Sequence, residues 1–139
     1  MILVDSSVWV AFFNGRKRPA VDVLQRLIEK EEDVCLSEYI LMEVLQGFRK
    51  DKAFHLAYRC LRMFPIYAMK GMSSYIAAAE MYRACRKKGI TVRSAVDCLI
   101  ARMAIENEWI LLHDDADFDH IASIFPLQLF TASSLTAES

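Results

Sequence analysis

The chain opens on Met1-Ile2-Leu3-Val4 and stops at Asp5. An apolar run without alternation, ended by a charge, reads as a strand covered on both faces. Val34-Cys35-Leu36, ended by Ser37, and Trp109-Ile110-Leu111-Leu112, followed by His113-Asp114, have the same character. Strands of this kind need helices above and below them, and the intervening sequence supplies these. Pro19 opens a segment with Val21, Leu24, Leu27 and Ile28 in helical phase. Ser37 is placed to cap a helix carrying Ile40, Leu41, Val44, Leu45 and Phe48. Further helices are expected over 51–64, over 73–88 with Gly89 as the stop, over 95–107 behind Ser94, and briefly after the acidic turn 114–119. Ser6 or Ser7 would cap the short helix through Phe13. Pro65-Ile66-Tyr67-Ala68 and Leu127 to Phe130 are weaker strands. The alternation predicts an α/β fold, a three-layer α/β/α domain around a central, mainly parallel sheet of four to five short strands.

The 139 residues suit one domain spanning 1–139. No apolar stretch approaches the roughly 18–20 residues of a membrane span. The early Asp5, with no basic residue before it, is unlike a secretory signal, so a cytoplasmic location is expected. The net charge of −1 neither demands nor forbids a nucleic-acid partner. Cys35, Cys60, Cys85 and Cys98 form no C-x-x-C pair and sit in apolar runs, which reads as buried free thiols.

In parallel sheets ligands gather outside the carboxyl ends of the strands, and acids stand there. Asp5 closes the first strand, and Asp114-Asp115-Ala116-Asp117 follows a later one. Glu43 and Asp97 lie within apolar helices. A carboxylate drawn into apolar surroundings is costly unless it is paired, hydrogen-bonded or bound to metal. Converging carboxylates imply raised pKa values or a bound divalent cation. Oxygen ligands without His or Cys suit Mg²⁺ or Mn²⁺. Each acid also has a plain structural explanation. Asp5 could cap the following helix, Glu43 could lie on a solvated stripe with Tyr39 and Gln46, and Ser94-x-x-Asp97 could be a capping box. The acidic turn could simply feed a helix N-terminus.

Taken together, these segments resemble the PIN-domain family, and within it the VapC toxins of toxin–antitoxin pairs. Ile2-Leu3-Val4-Asp5-Ser6-Ser7-Val8-Trp9 is similar to the family's first motif. Ser37-Glu38-Tyr39-Ile40-Leu41-Met42-Glu43-Val44-Leu45-Gln46-Gly47 is similar to the second, and Ser94-Ala95-Val96-Asp97-Cys98-Leu99-Ile100-Ala101 to the third. Leu111-Leu112-His113-Asp114-Asp115-Ala116-Asp117-Phe118 resembles the fourth, with His113-Asp114 standing where the family often has Thr-Asn. The resemblance implies an acidic quartet of Asp5, Glu43, Asp97 and Asp115. It also implies metal ligation by Asp5, Asp97 and Asp115, with Ser6 and Asp117 in support. Asp115 and Asp117 remain alternatives as the direct ligand.

The implied activity is endoribonuclease, hydrolysing RNA phosphodiesters with one or two Mg²⁺ or Mn²⁺ ions. Arg16, Lys17, Arg49, Lys50, Arg86 and Arg93 are the candidate phosphate contacts. The resemblance further implies a VapB-type antitoxin and a homodimer. An EF-hand reading fails because the sixth and twelfth positions of the loop from Asp115 are His120 and Pro126. No Walker A or G-x-G-x-x-G occurs. The remaining alternative is an inactive PIN-like scaffold that binds RNA or protein.

Overall fold

The structure, a computed structural model, describes residues 1–131. Residues 132–139 of the expected 1–139 domain lie outside the described residues. Five strands and seven helices follow one another as β1 (Ile2–Val4), α1 (Ser6–Phe13), α2 (Pro19–Glu29), β2 (Val34–Ser37), α3 (Glu38–Leu45), α4 (Asp51–Leu61), β3 (Ile66–Tyr67), α5 (Met72–Lys87), α6 (Ala95–Asn107), β4 (Ile110–Leu112), α7 (Ala116–Ala122) and β5 (Gln128–Leu129).

The sheet order is β3-β2-β1-β4-β5, and every pairing is parallel. The expected α/β sandwich is therefore present, with five strands and no antiparallel member among them. β1 holds the centre, with Leu3 opposite Cys35 on one side and Leu111 on the other. Leu3, Cys35, Leu36 and Leu111 have no exposed surface, as the uninterrupted apolar runs require. The edge strands β3 and β5 span two residues each and are partly exposed, which is why Ile66-Tyr67 and Gln128-Leu129 carry the weaker patterns.

The order of the strands decides where a ligand can sit. From β1 the chain moves outward through β2 to β3, then returns across the sheet to β4 and continues to β5. Right-handed crossovers place α1–α4 on one face and the later helices on the other. Packing agrees, since α1 touches α2 and α3, α3 touches α4, and α6 touches both α5 and α7. The direction of winding reverses between β1 and β4, so the two crossover loops part there and leave a crevice at the carboxyl ends of these strands.

Local signals act as the sequence suggests, with one shift. Pro19 begins α2, the Ser37 hydroxyl accepts from Ile40 N–H, and Gly89 ends the turn after α5 with φ +73°. The cap of α1 is Asp5 rather than Ser6 or Ser7, its carboxylate accepting from Ser7 N–H. Behind α1, Trp9 is fully buried and stacks on Phe13, with Phe64 tilted against it. The four cysteines are free, three of them buried and Cys60 half-buried.

Because Leu3 is sealed between both helical layers, a Leu3→Ala substitution leaves a cavity that the flanking strands cannot close. The expected loss is about 2–5 kcal/mol, read as a lower urea midpoint at unchanged slope. An exposed change such as Gln25→Ala should shift the midpoint far less.

Candidate active site

Three strand-end or helix-start turns and one helix interior bring acids into the crevice. Asp5 lies immediately beyond β1, and its backbone N–H donates to Leu112 O of β4 at 2.9 Å. The Asp5 carboxylate is only 5 % exposed and accepts from Ser7 N–H and from the Ser7 hydroxyl, the latter at 2.7 Å. The same hydroxyl accepts from Asp114 N–H at 3.1 Å. Ser7 thus ties the ends of β1 and β4 together. Ser6, its neighbour, serves another acid by donating to Glu43 Oε1 at 3.2 Å. That bond draws α3 toward the crevice.

Beyond β4, His113 Nδ1 accepts the N–H of Asp115, while its Nε2 faces Asp119 Oδ1 at 3.3 Å. Accepting at Nδ1 leaves the proton on Nε2, aimed at Asp119. The imidazole therefore pins the Asp115 backbone in place. Asp115 caps α7 by accepting from Asp117 N–H. Asp97 stands in the first turn of α6, where Ser94 Oγ accepts from Val96 N–H. The Asp97 carboxyl is instead engaged with Asp117.

Asp97, Asp115 and Asp117 each offer an oxygen within 4.8 Å of the other two. The crevice itself is a cavity of about 410 Å³ lined by Asp5, Glu43, Asp97, Asp114 and Asp115, with Arg16 and Gln46 at its rim. Asp117 belongs to the trio but not to that lining. Its Oδ2 accepts from both the backbone N–H and the Nε of Arg93, at 3.1 Å each. Arg93 also reaches Asp115 Oδ1 at 2.8 Å.

The proton affinities record this crowding. Burial, the charges of Asp115 and Asp5, and the bond to Asp117 push Asp97 up to about 7. Burial raises Asp5 against the pull of the Ser7 bonds, and burial followed by the Asp5 charge raises Glu43. For Asp117 burial is outweighed by the Arg93 bonds, which hold it below the ordinary range. Two carboxylates about 5 Å apart repel by roughly 3 kcal/mol at an effective dielectric near 20. A site that stores a proton on a surface-reachable carboxyl for that reason can exchange it for a divalent cation. The donor set is carboxylate oxygen without His or Cys in the trio, which fits Mg²⁺ or Mn²⁺ and argues against zinc.

A PIN domain model matches residues 2–124. The chain belongs to the PIN-domain family. Ribonuclease VapC11 of Mycobacterium tuberculosis is 40 % identical over 129 residues, covering 92 % of this chain and 96 % of its own. A VapC ribonuclease of Mycobacterium bovis matches equally well. Among solved structures, VapBC2 of Rickettsia felis, bound to a promoter DNA fragment, superposes with a TM-score of 0.72 at 20 % identity, over 94 % of this chain and 98 % of its own. VapC20 of M. tuberculosis, a sarcin-ricin loop cleaving toxin, gives 0.68 at 19 % identity, over 90 % and 96 %. These structures share the PIN fold.

Of the residues expected from the sequence, this PIN domain brings Asp5, Glu43, Asp97 and Asp115 to one cavity, with Ser6 on Glu43 and Asp117 behind. Arg16 lines the cavity. Arg93 is committed to the acids. Lys17, Arg49 and Lys50 are exposed on connecting segments, and Arg86 lies over the Tyr82 ring at 5.0 Å. Two site residues, Ser7 and Gln46, and the pairing of Arg18 with Asp114 are not expected from the sequence. Ser7 was legible in principle, because a capping Asp bonds the second helical residue. Gln46 lies one turn beyond Glu43, and Arg18 pairs bidentately with Asp114 at 2.7 and 2.8 Å across 96 positions of sequence.

Two outcomes follow. Asp97 binds its proton more tightly folded (about 7) than its ordinary 3.8, so the metal-free protein loses stability as pH rises between those values. Asp114 and Asp117, held low, act in the opposite sense but below about pH 5. The melting temperature without metal should therefore fall from pH 5 to pH 8, Mn²⁺ should raise it more at pH 8, and Asp97→Asn should flatten both trends. For His113, replacement by Ala should weaken Mn²⁺ binding about fivefold, since losing one hydrogen bond costs on the order of 1 kcal/mol. His113→Asn, whose Oδ1 can take the place of Nδ1, should retain most of it in a calorimetric titration.

Proposed function

We propose that this PIN domain is a VapC-type toxin, an endoribonuclease dependent on Mg²⁺ or Mn²⁺, with Asp5, Glu43, Asp97 and Asp115 as its catalytic carboxylates. The observation that carries this reading is the meeting of four separately positioned acids in one cavity at the β1/β4 switch point. The 40 % identity to ribonuclease VapC11 over nearly the whole chain supports the reaction class.

Asp97 and Asp115 are the ligands proposed for the metal, with Asp5 completing the set from the end of the neighbouring strand β1. One or two ions held there would polarise the scissile phosphate and lower the pKa of water. Glu43, held by Ser6 and raised by burial and by Asp5, is placed to orient the attacking water and take its proton. Asp117 supports from behind, fixing the loop that carries Arg93. Ser7 keeps Asp5 turned toward the cavity while holding the β4 end in register. An acidic cavity alone repels RNA, so the phosphates on either side need cations. Arg16 lines the cavity, Arg93 lies against Asp115, and Lys17, Arg49, Lys50 and Arg86 are the further candidates.

The same reading gives the partners. A VapB-type antitoxin would neutralise the toxin, and the chain would pair as a homodimer. Met72, Tyr75 and Ile76 on one side of α5 are each more than half exposed, an apolar stripe suited to a protein contact. No helix among the described residues is long and apolar enough to cross a membrane, which supports a cytoplasmic site of action. Residues 1–139 are proposed to act as a single PIN domain.

The test is cleavage of total cellular RNA by the antitoxin-free protein in Mg²⁺, Mn²⁺ or EDTA, with Asp97→Asn in parallel. Discrete fragments with metal, abolished by EDTA and reduced at least a hundredfold in the variant, are expected. A folded protein that neither binds Mn²⁺ nor cuts RNA would overturn the reading in favour of an inactive PIN scaffold.

A further inference from the structure

A second cavity, of about 480 Å³, adjoins the acidic one on the α2 side. The two share Arg18 and Asp114, whose bidentate ion pair stands between them as a common wall. The chemistry changes abruptly across that wall. On the near side the lining is mostly polar, carboxylates and serine hydroxyls with Arg16 and Gln46, and only Val10 and Ala11 are apolar. On the far side the surface is mostly apolar, formed by Ala20 and Val23 of α2, the end of β4 and Phe130 beyond β5. Asp22 and Arg26 from α2 add one acceptor and one set of donors, and His113 closes the floor. The cavity opens at the carboxyl ends of β4 and β5, in line with the acids.

We infer that this second cavity is a nucleobase subsite, taking the base of a nucleotide next to the scissile phosphate of single-stranded RNA. The inference rests on the ribonuclease reading and adds to it a place for the substrate's base. The first cavity offers a neighbouring base little apolar surface, only that of Val10 and Ala11 of α1. A base needs a flat apolar wall and a few edge partners. Ala20, Val23 and Phe130 supply the wall, and Asp22 and Arg26 can accept from and donate to a base edge or an adjoining phosphate. The strand would pass over the Arg18–Asp114 pair. There the carboxylate that would repel the backbone is already neutralised, and Arg18 keeps about half of its side chain exposed. A volume of this size lies within the range of small-ligand sites.

The experiment titrates the full chain in the presence of Mn²⁺ with nucleoside 5′-monophosphates, with ribose 5-phosphate and inorganic phosphate as controls, by calorimetry. At least one monophosphate should bind tenfold or more tightly than ribose 5-phosphate. Ala20→Trp, which fills the cavity, should abolish that preference while leaving Mn²⁺ affinity unchanged. Arg26→Gln, on the exposed side of α2, should weaken binding several-fold without disturbing the fold. In RNA cleavage, both variants should raise KM and shift the preferred cut sites, with Mn²⁺ dependence intact. Equal binding of ribose 5-phosphate and the monophosphates would overturn the inference, as would an Ala20→Trp protein that binds and cuts as the parent does. A chain that binds monophosphates in this cavity but cuts no RNA would instead fail the ribonuclease reading and keep the subsite.

Discussion

Like charge concentrated at the carboxyl ends of two adjacent parallel strands is the constraint to which the rest of this molecule answers. Asp5 and the Asp114–Asp117 turn are brought together because β1 and β4 are hydrogen-bonded neighbours, and α6 and α3 add Asp97 and Glu43. Each pair of ionised carboxylates at such spacing costs on the order of 3 kcal/mol. The chain meets that cost differently at every acid. Asp5 is held by the first turn of α1 and by Ser7, Asp114 by the Arg18 guanidinium, Asp117 by Arg93, and Glu43 by the Ser6 hydroxyl. Asp97 has no cation of its own among the described residues, and burial with the neighbouring carboxylates pushes its pKa up to about 7.

These devices depend on the sheet beneath them. Strands as short as β1 and β4, three residues each, hold the switch point because the helical layers cover them, with Leu3 and Leu111 fully buried at the centre. The crevice is equally a product of topology. Had the chain continued from β3 without returning past β1, the loops after β1 and β4 would not part. Packing, strand order and electrostatics are therefore one argument. The apolar runs make a buried parallel sheet, the sheet makes the crevice, and the crevice collects the acids.

How much of this could be read beforehand depends on the range of the interaction. Short-range signals were legible. Pro19 at the start of α2, the Ser37 cap, Gly89 after α5 and the unbroken apolar strands all act through neighbours within a few residues. The four acids were legible through their motifs, because each stands out against an apolar segment or a strand end. The pairing of the counter-ions was not. Arg18 meets Asp114 across 96 positions and Arg93 meets Asp115 across 22, so nothing local distinguishes them from ordinary exposed arginines. Arg93 reads as a phosphate contact in the sequence, and the fold adds its bonds to Asp115 and Asp117. Asp5 and the serines are both open as the α1 cap in the sequence, and the fold takes Asp5 while the hydroxyls also reach Glu43 and Asp114, both distant in sequence.

The clamps also bear on which of two neighbouring acids would hold a metal. Asp117 is nearly buried, and its Oδ2 is taken twice by Arg93, once through the backbone. Releasing it would unseat the loop before α6, at the cost of two hydrogen bonds to a charged group. Asp115 spends only its Oδ1, on Arg93 and the α7 cap, and it lines the cavity with the side chain 22 % exposed. The Arg93 side chain is itself 72 % exposed, so its tip can leave Asp115 at small cost while its backbone stays on Asp117. A cation drawn to Asp97 would therefore recruit Asp115 by displacing a guanidinium already half in water, and leave Asp117 as the hinge on which that exchange turns.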